Sequence, residues 1–116
     1  MLQLTPQTRV YLACEPADFR RGIDGLAALC RQRLSVDPMD GALFVFRNRR
    51  GTSLKLLSYD GQGFWLCQNR LSQGRLAWWP STPQAREQLS ARELQILLWN
   101  GNPKAVALAE DWRQVA

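Results

Sequence analysis

Apolar residues along the chain follow two rhythms, one dense and short-period, the other spaced three and four apart. "RVYLAC", residues 9 to 14, has the first rhythm and predicts a strand ended by Glu15-Pro16. Residues 16 to 34 change to the second. Phe19, Ile23, Leu26, Ala27, Cys30 and Leu34 would share one face of a helix. Asp18 is placed to cap that helix, and Arg31 and Arg33 fall near its C-terminal end, where the dipole favours cations. Gly22 and Gly25 each cost a helix interior about 1 kcal/mol against Ala. They predict either close backbone packing or an irregular first turn. Arg20 and Asp24 stand at i, i+4, the spacing of a helix-surface ion pair.

"SVDPMDG", residues 35 to 41, is a loop by its Asp-Pro and Asp-Gly pairs. The strand rhythm then returns four times, in "ALFVFR" (42 to 47), "SLKLLSY" (53 to 59), "FWLCQNRL" (64 to 71) and "RLAWW" (75 to 79). The short turns "NRRGT", "DGQG" and "SQG" join them, which predicts an antiparallel meander. "PSTPQAREQ" reads as a linker, with a helical turn allowed at "PQAREQ". Ser90 and Glu93 form a capping box, Leu89 and Leu94 have staple spacing, and Leu94, Leu97 and Leu98 make a buried stripe. Gly101 and Pro103 stop that helix, and Asn102 with Pro103 permits another in the tail. The expected fold class is α+β. A four- to five-stranded, mainly antiparallel sheet is packed by a helix from the N-terminal half and by C-terminal helices. One domain spans 1 to 116, with its core at about 9 to 101 and a tail at 102 to 116.

Charge sharpens this picture. Residues 41 to 86 hold Arg47, Arg49, Arg50, Lys55, Arg70, Arg75 and Arg86 against Asp60 alone, a net +6, while the remaining 8 basic and 9 acidic residues sum to −1. The first and third meander turns lie at the same end of a sheet. Arg47, Arg49, Arg50, Lys55, Arg70 and Arg75 are therefore expected to converge on one rim, where guanidinium forks suit phosphates. The competing reading is a basic surface that serves solubility. Phe44, Phe46, Tyr59, Phe64, Trp65, Trp78 and Trp79 interleave with these cations, either as core or as platforms for stacked bases. Trp78 and Trp79 are adjacent on an expected strand, so one should face the core and the other solvent.

Absences limit the chemistry. The chain has no histidine, which removes His-based acid–base catalysis, Ser-His and Cys-His nucleophile pairs and His-ligated metals. It has no standard nucleotide-binding glycine loop. Cys14, Cys30 and Cys67 are odd in number, widely spaced and set in apolar contexts, which predicts buried reduced thiols in a reducing compartment. Asp18, Asp24, Asp37, Asp40 and Asp60 read as capping and turn residues; a two-metal nuclease site on them has no positive feature in its favour. No metal or other cofactor is expected. No apolar run reaches the ~18 residues of a membrane span. "MLQLTPQTR" lacks the features of a secretory leader, so a cytoplasmic location without membrane association is expected.

The segments "DFRRGIDGL", "LFVFRNRRGTSLKLLSYDGQGFWL" and "NRLSQGRLAWWP", in this order, resemble the TnpB-type (Orf2-like) accessory proteins of the insertion sequence 66 transposon family. The resemblance runs from about Val10 to Gly101. Its pattern falls on Asp18, Arg20, Arg21, Gly22, Asp24, Gly25, Leu26, Arg47, Arg50, Gly51, Lys55, Asp60, Gly61, Gly63, Arg70, Leu71, Gly74, Trp79 and Pro80. This chain departs from the family at Asn69-Arg70-Leu71, where a Lys-Arg-Leu run is common, and in a longer tail after Gly101. The resemblance implies a non-catalytic auxiliary factor in DNA transposition, encoded beside a larger transposase. The expected partners are transposon-end DNA, bound through Arg47, Arg49, Arg50, Lys55, Arg70 and Arg75, and the transposase of the same element. In the alternative the chain is an adaptor that docks on the transposase through Arg20, Arg21, Trp78 and Trp79 without binding DNA. The sequence permits a homo-oligomer.

Overall fold

The computed structural model describes residues 4 to 105. Its frame is a five-stranded sheet in the order β4-β3-β2-β1-β5. The strands are β1 (Val10–Ala13), β2 (Leu43–Arg47), β3 (Ser53–Tyr59), β4 (Phe64–Arg70) and β5 (Arg86–Leu89). β1 runs parallel to β2, with Tyr11 opposite Phe44, and every other pairing is antiparallel. Helix α1 (Ile23–Leu29) lies in the β1–β2 connection and α2 (Ala91–Leu98) follows β5.

The helices account for the dense apolar rhythm of β2. A strand covered on both faces has no solvent side, so its apolar residues run on without alternation. Phe44 and Phe46 enter a core with Leu26, Ala27, Cys30 and Leu34 of the α1 layer. Leu43 and Val45 enter a second core with Leu89, Leu94 and Leu97 of the α2 layer. β3 alternates in the same way, Leu57 to the first core and Leu54 and Leu56 to the second.

Several expectations are met in detail. The α2 cap is the reciprocal box: Glu93 N–H donates to Ser90 Oγ at 3.1 Å and Ser90 N–H donates to Glu93 Oε1 at 2.9 Å. Leu89, Leu94 and Leu97 are buried, with Leu98 packed alongside. Asn102 Oδ1 accepts from the N–H groups of Lys104 and Ala105, as an N-terminal cap does, and the rest of that expected helix lies outside the described residues.

Other expectations are corrected. The first helix does not start at residue 16. It begins at Ile23, with Gly22 as its cap, and its last turn widens into a π-helical segment, Cys30–Leu34. Asp18 instead organises the turn before the helix, accepting from Arg20 N–H at 2.9 Å and from the Arg20 guanidinium at 2.8 Å. The expected Arg20–Asp24 pair is thereby replaced by Arg20–Asp18. Gly25 answers to close packing, since a Cβ there would come within 3.0 Å of Arg21 Cβ.

Residues 75 to 79 are not a strand. Their backbone is claimed from elsewhere: Leu76 N–H donates to Gly51 O at 2.8 Å and Ala77 N–H to Asn100 Oδ1 at 2.7 Å. The fifth strand lies instead in the stretch read as a linker, where Arg86–Leu89 pairs with the outer edge of β1. Cys14 and Cys30 are buried as expected, and burial pushes the Cys30 thiol up to about 12 and the Cys14 thiol upward. Cys67 is exposed, because nothing among the described residues covers that face of β4.

Candidate nucleic-acid interface

The β2–β3 turn is built by Asn48. Its Oδ1 accepts from Thr52 N–H at 2.9 Å and Ser53 N–H at 3.1 Å, and its Nδ2 donates to Thr52 Oγ1 at 2.9 Å. Gly51 closes the turn at φ +70, in the left-handed region that Gly adopts without strain. Arg49 and Arg50, between these anchors, are exposed. Two backbone bonds bring further cations to the same end of the sheet. Leu71 N–H donates to Thr52 O at 2.9 Å, which seats exposed Arg70 beside the turn. The Leu76–Gly51 bond does the same for exposed Arg75. Asn100, at φ +60, braces this arrangement from α2, its Nδ2 donating to Arg75 O at 3.3 Å. None of Arg49, Arg50, Arg70 and Arg75 forms an ion pair among the described residues.

The other two cations expected on the rim are drawn into the structure. Lys55 is 7 % exposed. Its Nζ donates to Phe19 O at 2.8 Å and Arg21 O at 2.9 Å and stands over the Phe19 ring. It faces α1 because side chains alternate along β3, and it clasps the loop before the helix. Lys55 is therefore not a rim residue. Arg47 is half-buried above the Trp79 ring, and its Nη1 donates to the carbonyls of Asn48 and Arg49. Arg86 is consumed in the same way: it lies over Tyr11 and donates to the carbonyls of Leu34 and Ser35 at the end of the first helix.

The aromatics do not form a stacking face on the rim. Phe44 and Phe46 are core. Tyr59 and Phe64 are half-buried against each other. Trp78 and Trp79 are both half-buried against the α2-side core, so neither is the solvent-facing member of a pair. Trp79 Nε1 also donates to Ala13 O at 3.1 Å. Trp65 is exposed, but it stands at the opposite end of the sheet, where it donates to Asp60 Oδ2 at 2.8 Å. That bond, with those from Gln62 and Gly63, holds the Asp60 carboxyl down at about 2. The aromatic beside the rim is Trp99, 90 % exposed and adjacent to the Asn100 brace. Its signal in the sequence was its place just past the Leu94, Leu97, Leu98 stripe, off the buried face.

Arg20 and Arg21 are exposed on the α1 side of the same end. Arg20 and Arg49 line one open depression of about 350 Å³, and Ala17 N–H donates to Arg47 O, fixing that loop to β2. Arg20 is neutralised by Asp18, whose carboxyl this contact holds down at about 2. Among the described residues no group of His, Cys, Asp and Glu is placed to hold a metal ion, and no helix is long and apolar enough to cross a membrane.

These features define a sheet protein with helices packed on both faces of its central strands and, at one end, a rim of exposed arginines that form no ion pair among the described residues. Residues 8–106 match the family described as IS66 Orf2 like protein. The chain belongs to this family and is an accessory protein of IS66 transposition. It is 40% identical over 98 residues to the uncharacterized protein y4hO of Sinorhizobium fredii (strain NBRC 101917 / NGR234), covering 84% of each chain. It is 36% identical over 90 residues to y4jC of the same organism, covering 78% of this chain and 76% of the relative. No solved structure matches.

Proposed function

We propose that the chain serves transposition by contacting element DNA through Arg49, Arg50, Arg70 and Arg75, without catalysis of its own and in the cytoplasm. The observation that carries this reading is the convergence of four exposed guanidinium groups, none with an acidic partner among the described residues, around one rigid turn. Such groups bind phosphate oxygens through charge-assisted bonds and carry little base specificity. Trp99 lies where it can stack on an unpaired base. Fluorescence anisotropy with labelled duplex and single-stranded DNA, titrated across salt, tests the reading. Affinity should fall steeply with salt, and each Arg→Gln substitution on the rim should lower the slope for duplex by about 0.9. Absence of binding to any DNA form, or affinity indifferent to salt, would refute it.

A second reading is favoured by Trp99 itself. A tryptophan this exposed beside cations has the composition of a protein-interface anchor. In this reading the rim, Arg20, Arg21 and Trp99 dock on the transposase. A nuclease-treated pull-down with purified transposase separates the two: capture that survives nuclease and is lost in Trp99→Ala selects the adaptor.

A further inference from the structure

The least protected part of the sheet is its β4 edge. Natural edge strands are commonly short, bulged, proline-bearing or charged, which blocks pairing with another chain. β4 has seven residues, pairs with β3 in unbroken register from Tyr59–Phe64 to Ser53–Arg70, and carries one charged residue, at its end. Hydrogen-bond parity identifies its free groups. Asp60 N–H donates to Gly63 O and Leu71 N–H donates to Thr52 O. By antiparallel alternation, Trp65, Cys67 and Asn69 point their backbone groups at β3, while Phe64, Leu66, Gln68 and Arg70 point theirs outward. Among the described residues nothing bonds to that outer row.

We propose that a second copy of this chain pairs there, β4 against β4, antiparallel about a two-fold axis through Cys67. Three features select this partner and register. Pairing along the whole strand centres the axis on Cys67, the middle of Phe64–Arg70. It places Leu66 opposite Gln68 of the other copy and Phe64 opposite Arg70, and both are sites where the outward groups exchange bonds. It also keeps the two Arg70 side chains apart and brings each toward the other copy's turn, where Asp60 is held ionised. The one symmetric contact is Cys67 with Cys67. That is a non-hydrogen-bonded pair, whose Cα atoms stand about 4.5 Å apart, within the span of a disulfide. Cys67 is exposed, whereas Cys14 and Cys30 are buried. The two sheets would join into one, with the arginine rims at its opposite ends. A contact of one strand pair is small beside the ~1,200 Å² or more of stable interfaces, so the association depends on concentration.

The test uses the full chain, nuclease-treated in high salt. Sedimentation equilibrium under reducing conditions should show a monomer–dimer equilibrium. Adding diamide should trap the dimer: one S–S bond forms between the Cys67 sulfurs, and the two thiol hydrogens pass to the diazene, giving the hydrazine. Cys67→Ser should abolish trapping but keep the reversible dimer. Gln68→Pro removes an outward N–H while sparing the β3 ladder, and Cys67→Arg sets like charges on the axis; both should shift the dissociation constant upward at least tenfold. Circular dichroism confirms that each variant is folded. A chain that stays monomeric at all concentrations overturns the proposal. So does a dimer unchanged in whichever of these two variants folds, or a diamide-linked dimer that persists in Cys67→Ser.

Discussion

Lys55 and Arg50 belong to one hairpin and carry one charge each, yet they occupy opposite environments. Lys55 is buried, its ammonium satisfied by two backbone carbonyls and an aromatic ring. Arg50 is exposed and meets no acid among the described residues. Arg47 and Arg86 side with Lys55, each spread over an aromatic ring and donating to main-chain oxygens. Arg49, Arg70 and Arg75 side with Arg50. Of the basic excess between residues 41 and 86, one part holds loops and a helix end in place, and only the other part is available to a polyanion. A charge count treats the two alike, whereas burial and carbonyl contact separate them.

The sharpest way to break this comparison is the same substitution on each side. Lys55→Met keeps most of the side-chain volume but leaves the Phe19 and Arg21 carbonyls without their donor. It should lower stability by about 3 kcal/mol, read by urea denaturation, because buried groups without partners cost about 1–3 kcal/mol each. A neutral result would move Lys55 to the other side.

A smaller effect tests Arg20, which stands between the classes: exposed, yet paired. The Asp18 and Asp60 carboxyls are held at about 2 against an ordinary 3.8, the first chiefly by the Arg20 side chain and the second chiefly by Trp65. A depressed folded value means that the contribution is complete above 3.8 and disappears as pH falls toward 2. Thermal melts should therefore lose part of their midpoint across that window. Arg20→Gln should flatten the loss more than Arg50→Gln does.

The smallest stability effect belongs to the rim. Arg50→Met and Arg70→Met should each stay within about 0.5 kcal/mol of the parent in urea, as surface changes do. If either unfolds the protein, its side chain belongs with Lys55.

Elements with local causes were legible in the sequence. The α2 cap needs only Ser90 and Glu93, and the Asn48–Gly51 turn needs only its own residues and the start of β3. The apolar spacing of the first helix continues back to Phe19 and predicts too early a start, while Asp18 satisfies Arg20 locally and leaves Gly22 to open the helix. "RLAWW" has the composition of a strand, but its backbone partners are Gly51 and Asn100, remote in sequence. "REQL" carries no strand pattern of its own and becomes β5 only by completing the edge of β1. The side chains that leave the sheet near the turns, Arg49, Arg50, Arg70 and Arg75, do stand exposed at one end of it. Lys55 does not, because its direction is decided by the parity of β3 against a helix packed on that face.

The sequence alone determined the family, the α+β class, the three hairpin-linked strands, the start of α2 and the region of excess positive charge; the end of α2 falls at Leu98, with Asn100 rather than Gly101 in the left-handed turn after it. These follow from short-range periodicity, turn chemistry and capping, whose interactions span a few residues. Only the tertiary structure decided which cations face solvent, which tryptophans are exposed and which sheet edge is left open. Those outcomes rest on which face a helix covers and which strand completes each edge, and such contacts join residues that nothing local in the chain brings together.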